Sequence, residues 1–220
     1  MITPQLISDS IPPVYMTDSV EKVRSVMQEY FVTELPVLDG EKYAGLISIE
    51  EINRLQNKKK PLKSFDLTLN KPLVFQNAHI FDIMRVAVEF NVRMVPVVDE
   101  DLNYWGIISS QSCLRSFAML SSVKSQGAVL ELETDARNYS VSELSRIVEE
   151  NDATILCLYS DRNQANGTVE VTIKLNTTDI SALIAAFERY EYIVRNIYNE
   201  TEYTGEIKDR YDALMRYLNV

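Results

Sequence analysis

The chain has 220 residues, of which 46% are hydrophobic and 25% are charged, a composition typical of a globular protein with one large domain or two small ones. Lys and Arg total 22 against 32 Asp and Glu, and the resulting net charge of −10 repels phosphate backbones and anionic membrane surfaces. Composition and charge therefore argue against nucleic acid and against membranes as partners.

Cysteine content and the N-terminal sequence indicate the compartment. Cys113 and Cys157 are the only cysteines, and neither has a CxxC or CxxH neighbourhood that would suggest a disulfide framework or a zinc site. The N-terminus lacks a basic region followed by an apolar one, and no apolar run reaches the roughly 18 residues of a membrane span. These features predict a soluble, cytoplasmic protein.

An internal repeat organises the first 120 residues. Pro36 and Pro96 are 60 positions apart, and the stretches around them, "TELPVLDGEKYAGLIS" and "RMVPVVDEDLNYWGIIS", are alike in pattern. After the aspartate the offset becomes 61, as in Ser48 and Ser109, so one residue is inserted in the turn, where insertions cost least. The sequence predicts two copies of one unit, over residues 1–60 and 61–121.

Each unit contains the same predicted elements in the same order. Apolar residues at helical spacing, such as Val20, Val23 and Met27, predict a buried helix face before the repeated stretch, and the second copy has the same pattern from Ile80. Thr17 or Ser19 in one copy and Asn77 in the other are candidate N-caps, named from their positions just before these helices. "LPVLD" with "YAGLIS", and "VPVVD" with "YWGIIS", read as pairs of strands, each followed by another helix. The predicted unit is β-α-β-β-α.

This order, with an apolar-Pro-apolar-apolar-Asp strand followed by Gly-apolar-apolar-Ser, resembles a tandem pair of CBS (cystathionine-β-synthase-type) domains over residues 1–120. Such pairs bind adenosine-containing nucleotides, among them AMP, ADP, ATP and S-adenosylmethionine, in clefts between the two units. The resemblance implies that a hydroxyl at Ser48 and Ser109 meets phosphate at a helix start. It implies that Glu51 and Ser112 stand where the family's Asp holds the ribose hydroxyls.

The resemblance also implies that Arg93 and Val95, on the second repeated strand, line the cleft. An arginine there can pair with phosphate through its planar guanidinium, and it is equally explained as a solvated residue at a helix C-terminus. Ser48 and Glu51 have a second explanation as well, because "SIEE" is a capping box in which each side chain satisfies a backbone donor. The replacement of Asp at both acidic positions weakens the expectation of a nucleotide.

Two further features receive structural explanations. The basic run Lys58, Lys59, Lys60 and Lys63 is typical of a solvated linker, with a phosphate-attracting lip as the alternative. His79 is the only histidine and has no partner histidine or cysteine nearby, which argues against a metal role. No metal site, catalytic residues or required cofactor are predicted.

A different pattern begins near residue 126, after the polar stretch "SSVKSQG". "AVLELET", "TILCLYSD", "VEVTIKL" and "YIVRNIY" read as strands, and helical faces at Leu144, Ile147 and Val148 and from Ile180 to Phe187 lie between them. Asn166-Gly167 is a hairpin turn signal. The predicted order over residues 126–200 is β-α-β-β-α-β, the ferredoxin-like arrangement.

Placed after a CBS pair, this domain resembles an ACT domain, a regulatory module that often binds amino acids. The corresponding turn, "TDARNYSVSEL", lacks the glycine of ligand-binding members, although Asp135 and Asn138 are candidates for contacting an amino group. Residues 204–220 carry Ile207, Tyr211, Leu214 and Leu218 at helical spacing and predict an amphipathic helix. The whole order resembles acetoin-utilisation accessory proteins, an analogy of architecture only.

The leading hypothesis is a non-catalytic, homodimeric regulatory protein that senses an adenosine nucleotide in the CBS cleft and relays this through the ACT-like domain or a partner. One alternative is a CBS pair without ligand that serves as a dimerisation scaffold. Another is an amino-acid sensor acting through the ACT-like domain. An enzyme is not predicted, because one histidine and two isolated cysteines assemble no catalytic group.

Overall fold

The computed structural model describes residues 3–199, which divide into two compact units, residues 3–117 and 118–199. The division falls within the last turn of a helix that ends at Leu120. The amphipathic helix predicted for residues 204–220 lies outside the described residues.

The first unit contains the β-α-β-β-α arrangement twice, which confirms the predicted fold. A short helix, α1 (Thr3–Leu6), precedes it. The elements of the first repeat are β1 (Val14–Tyr15), α2 (Val20–Glu29), β2 (Glu34–Asp39), β3 (Lys42–Ser48) and α3 (Ile49–Arg54). A 3₁₀ turn at Leu62–Ser64 leads to the second repeat. Its elements are β4 (Val74–Phe75), α4 (Ile80–Glu89), β5 (Met94–Val98), β6 (Tyr104–Ser109) and α5 (Ser110–Leu120).

The first helix of each repeat, α2 or α4, is capped at its N-terminus by a side chain. One of these two caps was not predicted. Ser19 caps α2, as predicted, with its Oγ accepting the Lys22 N–H at 3.2 Å. The predicted cap Asn77 is wrong, because α4 begins two residues later and its N-cap is His79. The His79 Nδ1 accepts the Phe81 N–H at 3.3 Å. The ring nitrogen thus accepts the capping hydrogen bond that a side-chain oxygen accepts in an asparagine cap. The only histidine of the sequence therefore has a structural role.

Each repeat forms a three-stranded sheet. The short first strand pairs parallel with the second, and the second pairs antiparallel with the third. Pro36 lies opposite Leu46 in one sheet and Pro96 lies opposite Ile107 in the other. The register of both sheets shifts at the same place, after the valine that follows this proline. Matched sequence positions thus occupy matched positions in space.

The two sheets meet at a seam with local twofold symmetry. The Tyr43 N–H donates to the Leu102 carbonyl at 2.9 Å, and the Tyr104 N–H donates to the Glu41 carbonyl at 3.2 Å. Because these pairs exchange roles between the repeats, each hairpin turn completes the backbone hydrogen bonds of the other. The apolar side chains buried along the seam include matched pairs, Leu38 with Val98 and Leu46 with Ile107.

The symmetry of the seam fails at one pair of side chains. The Tyr43 hydroxyl donates to the Pro72 carbonyl at 3.0 Å. The Tyr104 hydroxyl is buried and has no hydrogen-bond partner among the described residues. Burial raises the pKa of both tyrosines well above the ordinary value, so both stay neutral at physiological pH.

Each repeat also receives an extra backbone segment that comes from outside its own sequence. Asn70, which precedes β4 of the second repeat, bridges Leu46 on β3 of the first. Ser8, which precedes β1 of the first repeat, bridges Ile107 on β6 of the second, with N–H to O distances of 2.8 and 3.0 Å in the two directions. We call Ser8 and Asn70, with the residue before each, the exchanged segments.

Glycine at one position of β3 and β6 makes these bridges possible. Gly45 and Gly106 have φ angles of +150° and +139°, which side-chain-bearing residues rarely adopt. A Cβ added at Gly45 would lie 2.5 Å from the Leu69 Cβ, and one added at Gly106 would lie 2.7 Å from the Ile7 Cγ2. The glycine of "YAGLIS" and "YWGIIS" is therefore required by the close approach of the exchanged segments.

The second unit is a four-stranded antiparallel sheet with the order β10-β7-β9-β8, as the ferredoxin-like prediction requires. Its elements are β7 (Val129–Asp135), α6 (Val141–Glu149), β8 (Ile155–Asn163), β9 (Thr168–Leu175), α7 (Ser181–Arg189) and β10 (Ile193–Tyr198). Both helices cover one face, where Leu132, Ile147 and Phe187 belong to a single buried core. Gly167 has a φ of +73° in the β8–β9 turn, as the Asn-Gly signal predicts.

Among the described residues, no helix combines the length and the apolar character needed to cross a membrane.

Candidate functional site

A pocket of about 640 Å³ lies where the two repeats of the first unit meet. We call it the Ser48 pocket, after the residue at the start of α3. The first repeat, the connecting segment and the second repeat all contribute to its wall. Its lining residues are Thr33, Glu34, Leu46, Ser48, Glu50, Glu51, Arg54, Asn70, Phe90, Asn91, Val92 and Arg93.

Ser48 and Glu51 form the capping box that the sequence predicted. The Ser48 Oγ accepts the Glu51 N–H at 3.2 Å, and the Glu51 Oε2 accepts the Ser48 N–H at 2.7 Å. Both groups also line the Ser48 pocket. The hydroxyl still carries a proton to donate, and among the described residues the second carboxylate oxygen has no hydrogen bond. The two explanations from sequence, cap and ligand contact, are therefore compatible in geometry.

Ser109 and Ser112 repeat this cap without a carboxylate. The Ser112 N–H donates to the Ser109 Oγ at 3.1 Å, and the two hydroxyl oxygens lie 3.0 Å apart. A serine is too short to reach back to the Ser109 N–H as Glu51 does in the first repeat. Neither serine lines the Ser48 pocket, so the structure separates this pair from Ser48 and Glu51.

Arg93 lines the Ser48 pocket, on the opposite repeat from Ser48. Its backbone N–H donates to the Glu34 Oε2 at 3.2 Å, and its carbonyl accepts the Ser110 N–H at 2.8 Å. The backbone of Arg93 is thus adjacent to the cap of α5. The structure places Arg93 in one pocket with Ser48 and Glu51, across the seam.

Val95 does not line this pocket. Its side chain is 1% exposed and belongs to the core of the second repeat, beneath α4. Its prediction as a cleft residue finds no support in the geometry, because the side chain has no surface left for a ligand.

Glu34 is the residue that sequence reasoning missed. It is half-buried at the start of β2, and burial raises the pKa of its carboxyl, with the charge of Glu50 acting in the same direction. The Arg93 N–H and the Arg93 charge lower this pKa in opposition. Comparison of the two repeats could have drawn attention to Glu34, because the matched residue of the second repeat is the uncharged Met94.

The basic linker does not contribute to the Ser48 pocket. Lys58, Lys59 and Lys60 are exposed. The Lys60 carbonyl accepts the Val20 N–H at 3.2 Å and the Lys58 carbonyl accepts the Glu21 N–H at 2.8 Å. The linker backbone thereby satisfies the first donors of α2, which fits the interpretation as a solvated connector.

Chemistry of other kinds finds little support in the described residues. In residues 3–199 no group of three His, Cys, Asp or Glu side chains could hold a metal ion. In the second unit, Asp135 accepts the Arg137 N–H at 2.9 Å on its Oδ1 and the Asn138 N–H at 2.9 Å on its carbonyl. Asp135 and Asn138 are therefore explained by the turn they form.

Comparisons with known proteins agree with this description. The family model for the CBS domain matches residues 5–58 and 66–118. A CBS domain pair/ACT domain protein of Thermotoga maritima superposes with a TM-score of 0.50 and 20% identity, covering 54% of this chain and 98% of that one. The structure of CBSX2 in complex with AMP matches with a TM-score of 0.45 and 25% identity, covering 53% of this chain and 96% of that one.

A curated relative, an uncharacterized protein of Methanocaldococcus jannaschii, is 26% identical over 116 residues. This match covers 51% of the chain and 42% of the relative, so the chain spans less than half the length of that protein.

The repeated β-α-β-β-α units, the seam between them and the matched residues agree on one assignment. The first half of this chain is a tandem pair of CBS domains, and it is followed by a four-stranded domain with the ferredoxin-like strand order of an ACT domain.

Proposed function

We propose that this protein is a non-catalytic regulator whose CBS pair binds an adenosine-containing ligand in the Ser48 pocket. The observation that carries the proposal is the convergence of Ser48, Glu51 and Arg93, from both repeats, on one pocket of about 640 Å³. That volume lies within the range of roughly 300 to 1,000 Å³ typical of small-molecule sites.

The polar groups of the pocket suit a nucleoside. The second oxygen of the Glu51 carboxylate is an acceptor for ribose hydroxyls, and the Ser48 hydroxyl is a donor close to it. Leu46, Val92 and Phe90 add apolar surface against which a base can pack. Regulation follows from the position of the site, because a ligand that contacts both repeats favours one packing of the seam over others. The signal then passes to the ACT-like domain or to a partner protein.

A thermal-shift experiment tests this proposal. Millimolar adenosine, 5′-methylthioadenosine, S-adenosylmethionine, AMP, ADP and ATP are added singly to the full chain, and a ligand that binds the folded state raises Tm by mass action. Arg93→Ala should abolish the shift, whereas Lys59→Ala, a change in the exposed linker, should retain it. A shift that survives Arg93→Ala unchanged would move the ligand away from the Ser48 pocket. A panel without any shift would contradict the proposal.

A second function, a dimerisation scaffold, is favoured by apolar side chains on the surface of the second repeat. Phe81 and Val88 on α4 are 58% and 81% exposed, and Leu114 on α5 is 68% exposed. Large exposed apolar side chains are typical of interaction surfaces when they form a contiguous patch. Light scattering after size exclusion tests it: Val88→Glu should lower the mass to that of one chain, and Lys59→Glu should leave it unchanged. A wild-type mass of one chain would rule the scaffold out.

A further inference from the structure

The Ser48 pocket contains more acidic than basic groups. Three carboxylates line it, those of Glu34, Glu50 and Glu51, against the two guanidinium groups of Arg54 and Arg93. Any phosphorylated ligand would add one or more negative charges to this set. The balance differs from that of a phosphate site, in which cations and free backbone N–H groups predominate.

A carboxylate lies beside one of the two arginines. The Glu34 Oε2 accepts the backbone N–H of Arg93 at 3.2 Å, and the charges of Glu34 and Arg93 act on each other. Glu50 also lies close enough to Glu34 to affect its ionisation. A phosphate that approached Arg93 would therefore meet the Glu34 carboxylate and, beside it, that of Glu50.

The fold itself does not require these acids, because the second repeat manages without them. Met94 replaces Glu34, Gln111 replaces Glu50 and Ser112 replaces Glu51 at the matched positions. The same strand and the same helix start form with neutral residues, including a cap in which the Ser109 Oγ accepts the Ser112 N–H. Arg54, by contrast, is matched by Arg115. At these three matched positions the first repeat is therefore acidic and the second is neutral.

We propose that the Ser48 pocket selects adenosine ligands whose 5′ substituent is uncharged or cationic, and that it discriminates against 5′-phosphates. Glu34 and Glu50 are the residues that set this preference. Like charges at close range in a partly desolvated pocket repel strongly, whereas a neutral thioether or a sulfonium cation meets no such penalty. The inference depends on the proposed function, since it names the class of ligand for the same site.

Isothermal titration calorimetry of the full chain, without divalent cations, tests the preference. Adenosine, 5′-methylthioadenosine and S-adenosylmethionine should bind at least tenfold more tightly than AMP and ATP. Salt provides a second measure, because raising ionic strength screens repulsion. The affinity for AMP should rise between low and physiological salt, the affinity for adenosine should stay constant, and the affinity for the sulfonium cation should fall.

Single substitutions identify the residues responsible. Glu34→Gln and Glu50→Gln should each raise the affinity for AMP several-fold relative to the affinity for adenosine. Glu149→Gln, which removes one exposed acid from the second unit, is the matched control and should change neither.

The outcomes separate this inference from the function on which it depends. AMP or ATP binding as tightly as adenosine would overturn the charge preference and leave nucleotide sensing supported. An AMP affinity that falls with rising salt, or that stays the same in both glutamine variants, would also overturn the charge preference. If none of the five compounds binds, both proposals fail.

Discussion

Phe31 combines a left-handed backbone with almost complete exposure. Its φ is +53° and its side chain is 95% exposed, directly after the end of α2. The matched residue of the second repeat is Asn91, with a φ of +52°. Asparagine tolerates this conformation, whereas an L-residue with a bulky side chain is strained in it.

Phe31→Asn should therefore stabilise the chain by about 1 kcal/mol, roughly the cost of one non-glycine residue in the left-handed region. Urea denaturation measures the change. Tyr30→Asn, at the neighbouring position with a φ of −93°, should give no such gain. A loss of stability in Phe31→Asn would contradict the strain argument.

Glu34 gives the stability of the chain a predictable dependence on pH. Because its pKa is raised above the ordinary 4.5, the folded chain binds this proton more tightly than the unfolded chain does. The resulting stability is fully present below about pH 4.5 and is lost as pH rises through the folded-state pKa. Glu34→Gln should thus have a higher Tm than the wild type at pH 7, and the difference should disappear below pH 4.5. An equal gain at both pH values would show that ionisation is not the cause.

At the scale of residues, the sequence named part of the lining of the Ser48 pocket. Ser48 and Glu51 were found because a short motif fixes their place at a helix start. Arg93 was found too, but its neighbours were not, because they depend on how the repeats meet. For Val95 the sequence could not separate core from cleft, because every residue of β5 is buried and the strand shows no alternation.

At the scale of elements, the strands and helices followed from local periodicity. Their order and the two sheets were predicted, whereas the exchanged segments were not. Ser8 and Ile107 bridge about a hundred positions apart, and a lone backbone bridge leaves no periodic pattern in the sequence. The sequence shows that Gly45 and Gly106 occupy matched positions in the two repeats, but it does not show why glycine is needed there.

Gly45→Ala and Gly106→Ala should each destabilise the chain by about 1 to 3 kcal/mol, the usual cost of a strained backbone conformation. The new methyl group would also press on Leu69 or Ile7. Gly40→Asn is the control, because Gly40 has a φ of +64° that asparagine tolerates and nothing lies within 4 Å of an added Cβ. Chemical denaturation compares the three variants. Equal stabilities would show that the exchanged segments can move aside.

At the scale of the whole molecule, the two repeats of the first unit depend on each other. Leu38, Tyr43 and Leu46 of the first repeat are buried against the second. A repeat on its own would expose these side chains and lose the seam hydrogen bonds. A unit of this size buries too little surface to stay folded after that loss of stability.

A fragment of residues 1–125 should therefore unfold cooperatively and keep the ligand-induced Tm shift of the full chain. A fragment of residues 61–125 should give no cooperative transition. Circular dichroism during heating distinguishes the two. Cooperative melting of the shorter fragment would contradict the interdependence of the repeats.

The exchanged segments also resemble those of a domain-swapped dimer, and they suggest how this protein could be divided into two parts. Each half contributes one bridging backbone segment to the sheet of the other, the kind of exchange that two separate copies make in a domain-swapped dimer. A polypeptide severed in the linker between the halves would still hold every contact by which the pieces recognise each other, which makes that linker a natural place to split the protein into two complementing parts.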